Sequence, residues 1–336
     1  MYLEFYHLRE YPFSLASDPR FLYYSAAHQE AMAALLYSLR ERKGVSLLLG
    51  EPGTGKTTLL NAVMEMLPGG VVARWLDSPL HATPAEALAA ILTGYGVELD
   101  TPAGGLSPLL ARLRQYLLER HAAGEWVLLV IDEAQDLNPL VLEQVRLLSN
   151  LETGGQKLLQ IILSGQPELG HHLHLANGRA LHQRVAVGCR LQPLSLAETR
   201  AYVRARLEHA GATSPLFEED AVARMHNLAR GIPRVLNVVA DHCLLAGFAV
   251  QSPRIGGAIM ARVEEQLAPE LDLPGGARTA AAPVREAPPS APQAPAEPAR
   301  RLHAEPLVSV GRRPPVLQRF ASGWARWAGL SPREGK

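Results

Sequence analysis

Val45-Ser46-Leu47-Leu48-Leu49-Gly50-Glu51-Pro52-Gly53-Thr54-Gly55-Lys56-Thr57 governs the reading of this 336-residue chain. The apolar run Val45–Leu49 predicts a buried strand, and a helical pattern from Lys56 to about Leu67 follows. Between them, residues 50–57 fit G-x-x-x-x-G-K-[ST], so the glycines fall on a strand-to-helix turn, where the pattern has physical meaning. Backbone with no Cβ can approach a phosphate closely, and successive N–H groups and the helix N-terminus then point at it. Gly50, Glu51, Pro52, Gly53, Thr54, Gly55, Lys56, Thr57 and Thr58 are therefore the expected nucleotide contacts. Lys56 would place a point charge between the β- and γ-phosphates, and Thr57 a hydroxyl on Mg²⁺. The expected ligands are ATP and Mg²⁺.

Composition supports a folded chain. Hydrophobic residues make up 47%, enough for a sizeable core in one large or two ordinary domains. Net charge is zero but unevenly spread: residues 277–336 carry ten Lys/Arg against four Asp/Glu, leaving 23 against 29 before them. The two cysteines, Cys189 and Cys243, sit far apart in apolar surroundings, which suits a reducing compartment and core packing rather than a disulfide or a Cys-based zinc site. No charged segment followed by an apolar one marks the N-terminus as a secretory signal. The longest apolar stretch, Val235 to Val250, is broken by Asn237, Asp241 and His242 and is too polar to span a bilayer. The expected location is cytoplasmic.

Working outward from the loop, eight of the 19 aromatic residues lie in the first 24 positions, which predicts an arm packed onto the body. Ser25 caps a predicted helix with Ala31, Leu35, Leu36 and Leu39 on one face, ending near Gly44. After the loop, strands and helices alternate: strand 71–77, helices near 84–92 and 106–120, strand 126–132, a helix near 139–151, then strands 158–165 and 185–191. Runs such as Val127-Leu128-Leu129-Val130-Ile131 read as parallel strands covered on both faces. From residue 194 the pattern is helical. Ser195-Leu196-Ala197-Glu198 is a capping box opening a helix to about 210, and further helices cover roughly 218–228, 232–248 and 256–267.

The expected fold class is thus α/β, a phosphate-loop parallel sheet followed by a small all-α lid domain and a disordered Pro/Ala-rich tail. Its divisions are 1–44 (aromatic arm and helix), 45–193 (nucleotide-binding domain), 194–268 (helical lid), 269–315 (disordered linker with eleven prolines) and 316–336. In the last segment Leu317, Phe320, Trp324 and Trp327 recur at helical spacing with Arg319 and Arg326 on other faces. That pattern suits an amphipathic helix for an anionic membrane surface or a partner's groove. His171-His172-x-His174 has no accompanying carboxylate or Cys cluster and reads as an exposed helical stretch rather than a metal site.

Asp132 and Glu133 end the predicted strand 126–132, at the strand edge that faces a nucleotide crevice. Asp132 would share the Mg²⁺ shell with Thr57. Glu133 would orient or deprotonate the attacking water.

With these motifs the chain resembles the AAA+ ATPases, and over about residues 1–268 it is similar to the ExeA/GspA group of secretion-pathway ATPases. The resemblance rests on Phe5-Tyr6-x-Leu8-Arg9-x-x-Pro12-Phe13 with Asp18-Pro19-x-Phe21-Leu22-Tyr23, on Ser25-x-x-His28-x-Glu30-Ala31, and on Gly50–Thr57. It rests also on Ile131-Asp132-Glu133-Ala134-Gln135, Gly165-Gln166-Pro167-Glu168-Leu169 and Gly231-Ile232-Pro233-Arg234-x-x-Asn237. The arm and the Gly-Gln-Pro-Glu-Leu run are specific to that group, and the other motifs indicate AAA+ in general.

The resemblance implies further roles. Ser164 or Gln166 matches the sensor of the γ-phosphate, Arg184 the arginine given to a neighbouring subunit's site, and Arg234 the second sensor on the lid, with Ile232 and Pro233 bordering the adenine. It implies a homo-oligomer whose site is complete only between subunits. Members of the group often carry a transmembrane helix and a peptidoglycan-binding domain after the ATPase. Here the proline-rich linker and the Trp-containing segment follow instead, which predicts peripheral attachment at the inner membrane through 316–336. The expected function is ATP hydrolysis by an assembly serving a bacterial envelope secretion or export system, with components of that system as partners. The alternative is a transposition-type ATPase that selects DNA targets, its basic tail neutralising phosphates.

Overall fold

The computed structural model describes residues 1–16, 19–21, 23–76, 83–99, 105–175, 178–267 and 269. Asp18 and Leu22 of the arm motif, the linker after Pro269 and the segment 316–336 lie outside the described residues.

Among the described residues seven strands form: β1 Val45–Gly50, β2 Val71–Leu76, β3 Trp126–Ile131, β4 Glu152–Thr153, β5 Gln156–Lys157, β6 Leu159–Gly165 and β7 Val185–Leu191. Five of them make one parallel sheet in the order β2-β3-β6-β1-β7. The register pairs Leu47 with Leu163 on one side and Gly188 on the other, and Val130 with Ile162, so the apolar runs are buried on both faces as the sequence requires. All the parallel strands end at one edge, and there β1 delivers Gly50 and β3 delivers Asp132.

The arm carries α1 Tyr2–Phe5, and the helices before and between the strands cover the sheet: α2 Ala26–Arg40, α3 Lys56–Glu65, α4 Pro84–Gly94, α5 Leu106–Ala122, α6 Pro139–Leu148, α7 Pro167–His174 and α8 Arg179–His182. The helical region that follows comprises α9 Leu196–His209, α10 Glu219–Ala229, α11 Pro233–Ala249 and α12 Gly257–Leu267. Starts follow the expected chemistry. Ser25 Oγ accepts from the His28 N–H, and both Thr83 with Glu86 and Ser195 with Glu198 close full capping boxes.

Two features escaped the sequence reading. The helix expected over 139–151 stops at Leu148, because Leu151 already accepts the Leu158 N–H across a short antiparallel pair, β4 with β5. Gly154 and Gly155, both at positive φ, make that reversal with the two-residue glycine turn that suits a hairpin. The single-turn α1 is too short to leave a periodicity.

Two apolar clusters result among the described residues. One surrounds the sheet, with Val127, Leu129, Ile131, Ile161 and Leu163 packed against helix residues such as Leu88, Leu92, Leu113, Leu117 and Val145. The other joins α9–α12 to the aromatic arm: Tyr2, Tyr6, Leu8 and Phe13 lie among Leu207, Met225, Leu236, Leu244, Ile255 and Met260. Arg9 N–H donates to Ala210 O at 2.7 Å, and the Tyr2 hydroxyl donates to Asp241. Each such side chain contributes about 1.5–3 kcal/mol by leaving water, which fixes the arm on the helical region. No helix among the described residues is long and apolar enough to cross a membrane.

The α10–α11 turn is tied to the end of the sheet at Gly231. Its φ is +70°, its carbonyl accepts the Leu194 N–H at 2.8 Å, and an added Cβ would meet Leu194 O at 2.0 Å. Gly231→Ala is expected to lower stability by about 3 kcal/mol, from backbone strain and overpacking together. Urea denaturation checks this, and a midpoint equal to that of the wild type would contradict it.

Candidate nucleotide site

The loop between β1 and α3 folds on itself. Thr54 donates to Glu51 O through both its N–H (3.2 Å) and its hydroxyl (2.8 Å), and Gly55, at φ +96°, begins α3. Lys56 lies across this turn, 5% exposed, with Nζ donating to Gly50 O at 2.8 Å and to Glu51 O at 3.3 Å. Burial lowers its pKa, opposed by the carboxylates of Glu133, Asp132, Glu51 and Glu168. An ammonium held only by carbonyls in a desolvated pocket is completed electrostatically by an anion.

At the neighbouring strand end, Thr57 Oγ1 donates to Asp132 Oδ2 at 2.7 Å, and Asp132 Oδ1 accepts the Glu133 N–H at 3.0 Å. A hydroxyl and a carboxylate in contact are hard oxygen donors, the set that suits Mg²⁺ bound through one or two protein oxygens and phosphates. These residues therefore fit the ion.

Glu133 is exposed and stands at φ +48°, the turn that lifts its carboxylate off the strand end. Gln135 Nε2 donates to Glu133 Oε2 at 2.9 Å, while Gln135 Oε1 accepts the Gln166 N–H at 3.0 Å. One amide side chain thus bridges the ends of β3 and β6.

A cavity of about 270 Å³ opens beside the loop, lined by Gly53–Thr58, Glu133, Pro233 and Arg234. Its far wall comes from the helical region and the arm, with Tyr202, Arg206, Asn237, Phe21 and Tyr23. Loop and helical region touch directly: Arg234 N–H donates to Gly53 O at 3.2 Å, and a Cβ on Gly53 would lie 2.6 Å from Arg234 Cβ and 3.2 Å from Ile232 Cγ2.

Most of the site residues expected from the sequence meet here. Gly50, Glu51 and Pro52 form the outer limb of the loop, and Ile232 presses on Gly53 from behind. Two stand elsewhere. Ser164 is fully buried inside β6, opposite Leu48, and its hydroxyl has no hydrogen-bond partner among the described residues. Arg184 is exposed just before β7; Val185 pairs with Val45 and Leu191 with Gly50, so Arg184 lies at the sheet edge opposite the loop of its own chain.

His28, Gln135, Tyr202, Arg206 and Asn237 also meet at or beside the site, although the sequence alone marks no role for them. His28, Gln135 and Asn237 each stand inside a quoted motif, which was the available signal. Tyr202 and Arg206, four apart on α9, are joined by a 2.7 Å bond from Nη1 to the phenol, and the phenol donates to Asn237 Oδ1 at 2.6 Å. Arg206 also lies over the Phe21 ring at 4.8 Å. Arg206 sits in a helix rich in exposed charge, where nothing in the pattern distinguishes a buried guanidinium.

Residues 39–173 match the AAA domain family. Over 255 residues, 76% of the chain, the sequence is 43% identical to General secretion pathway protein A of Aeromonas hydrophila. The chain covers 46% of that relative, about half its length. Among solved structures, Cdc6p from Pyrobaculum aerophilum superimposes with a TM-score of 0.61 at 17% identity, covering 78% of this chain and 74% of that one. The Walker-type ATPase of Pyrococcus abyssi gives 0.54 at 19% identity, covering 78% of each. At such identities the two structures speak for the fold alone. Sheet order, loop geometry and sequence identity agree: the chain is an AAA-domain protein with an α/β phosphate-loop fold, similar along three quarters of its length to General secretion pathway protein A.

Proposed function

We propose that this chain binds ATP with Mg²⁺ in the cavity beside the 50–58 loop and hydrolyses it, as part of an assembly that serves envelope secretion. The contact between Thr57 Oγ1 and Asp132 Oδ2 beside the buried Lys56 carries this reading, because it gathers a phosphate-seeking cation and a hard-oxygen pair at one strand edge. Thr57 and Asp132 would hold Mg²⁺, which would supply positive charge to offset that of the phosphates. The loop N–H groups and Lys56 hold the phosphates, and Glu133, steadied by Gln135, positions and deprotonates water. Arg234, on the first turn of α11, reads the phosphate end from the helical side.

Residues 45–193 and 194–268 act in this reading as a nucleotide-binding part and a lid, hinged where Arg234 meets Gly53. Arg184, remote from its own cavity and exposed, serves the cavity of a neighbouring copy, so hydrolysis depends on self-association. The link to secretion rests on similarity to a relative about twice as long, whose name places it in the general secretion pathway.

Phosphate release measured against protein concentration tests the scheme. Turnover per chain is expected to rise with concentration, and Arg184→Ala to remove about 10³-fold of it while leaving ATP affinity within about threefold, as for an arginine supplied in trans. Concentration-independent turnover, or equal loss of turnover and affinity, counts against it.

A further inference from the structure

The Thr54–Gly55 peptide, in the middle of the phosphate loop, is gripped by a side chain from α2. His28 is 3% exposed, and both its ring nitrogens are engaged: Nδ1 lies 2.7 Å from Ser25 Oγ, and Nε2 lies 3.1 Å from Thr54 O. A carbonyl can only accept, so Nε2 carries the proton and Nδ1 accepts from the Ser25 hydroxyl. Ser25 Oγ meanwhile accepts the His28 N–H, so one hydroxyl both caps the helix and fixes the ring. Burial pushes the imidazole below its ordinary pKa, against the opposing effects of the Thr54 carbonyl and the Glu198 carboxylate, which favours the neutral tautomer.

That grip has a consequence for the cradle. In a planar trans peptide the C=O and the next N–H point in opposite directions. Turning Thr54 O toward His28 turns the Gly55 N–H away from it, alongside the N–H groups at the start of α3 that have no intrahelical acceptor. The peptide ahead of a glycine is also the one that flips most easily, because Gly55 tolerates either orientation without a Cβ penalty. The imidazole seats directly against this glycine, since a Cβ there would lie 3.1 Å from Nε2. The start of α2 is further tied to α9, where Glu198 accepts both the Ala26 N–H (3.4 Å) and the Ser195 N–H (2.9 Å).

We propose that His28 is a positioning residue for polyphosphate binding: with Ser25 it locks the Thr54–Gly55 peptide in the orientation that presents the Gly55 N–H to the ligand. This rests on the phosphate-loop reading above.

Binding of a fluorescent ADP to the full chain tests it, with four variants compared by affinity and melting temperature. His28→Leu fills the space without a donor and is expected to bind about tenfold more weakly, the order of one hydrogen bond to a charged group. His28→Gln keeps a side-chain N–H within reach of Thr54 O and is expected to restore affinity to within about threefold of wild type. That rescue would not follow if the ring acted only by filling space. Should the leucine variant fail to fold, His28→Asn, an amide too short to reach the carbonyl, takes its place with the same expectation. Wild-type affinity in the leucine or asparagine variant overturns the proposal, as does a glutamine variant as weak as either. Lys56→Ala separates the two layers: if it binds ADP as well as wild type, the phosphate-loop reading itself is wrong, whereas its failure to bind beside a wild-type-like His28→Leu condemns only the role of His28.

Discussion

Lys56→Ala is expected to weaken ATP binding by at least about a hundredfold while leaving the chain folded. The ammonium is nearly out of water, held by Gly50 O and Glu51 O, and its lowered pKa reflects the cost of keeping that charge desolvated. A triphosphate supplies the missing counter-charge. Deleting the lysine removes the strongest charge-assisted interaction in the loop and leaves phosphate oxygens in a pocket without a mobile cation. Losing such a partner costs about 3 kcal/mol, which is about two powers of ten in affinity. The fold should survive, because the lysine's hydrogen bonds go to carbonyls at the open edge of the sheet rather than into either apolar cluster. Equilibrium binding of labelled ATP, with circular dichroism as the control, decides it. Affinity within threefold of wild type would remove the basis for the nucleotide reading.

The second large effect separates chemistry from binding. Glu133→Gln is expected to lower turnover by about 10²–10⁴-fold, the usual range for loss of a general base, with ATP affinity within about threefold of wild type. The substitution preserves shape, and its amide oxygen can still accept from Gln135 Nε2, so the turn at φ +48° need not change. It removes the capacity to take a proton from water. Because Glu133 touches no backbone N–H of the loop, the phosphate cradle stays intact. Single-turnover phosphate release and a parallel binding titration check this. A variant that loses affinity in proportion to turnover would show that Glu133 holds the nucleotide rather than the water.

Much of this arrangement was legible because local chemistry and global fold coincide. The run 45–49 can only be a buried strand, the glycines can only be a turn, and Ser25, Thr83 and Ser195 sit where helix starts need side-chain acceptors. Asp132 was placed correctly at a strand end, and its meeting with Thr57 followed from the parallel sheet. What could not be read was the pairing of distant side chains. His28 precedes Thr54 by 26 positions, and nothing in its helix shows which carbonyl it will find. The Tyr202–Asn237 bond likewise spans 35 positions. The short β4–β5 hairpin was missed for another reason: two-residue strands leave no alternation, and only Gly154-Gly155 marked the reversal. Ser164, offered with Gln166 by the family resemblance, is buried in β6, and its unpartnered hydroxyl among the described residues left no mark in the sequence.

The union of the aromatic arm with α9–α12 bears on how the molecule is made. Tyr2 and Asp241 are 239 positions apart, so the helical region cannot finish its interior until a segment synthesised long before it comes back to join it. Closure across that span is entropically slow, and until it happens Tyr6, Phe13 and Leu236 are left wet. The half-made chain therefore offers a sticky surface to chaperones on the ribosome, and truncation within the helical region should yield aggregates rather than a smaller working protein.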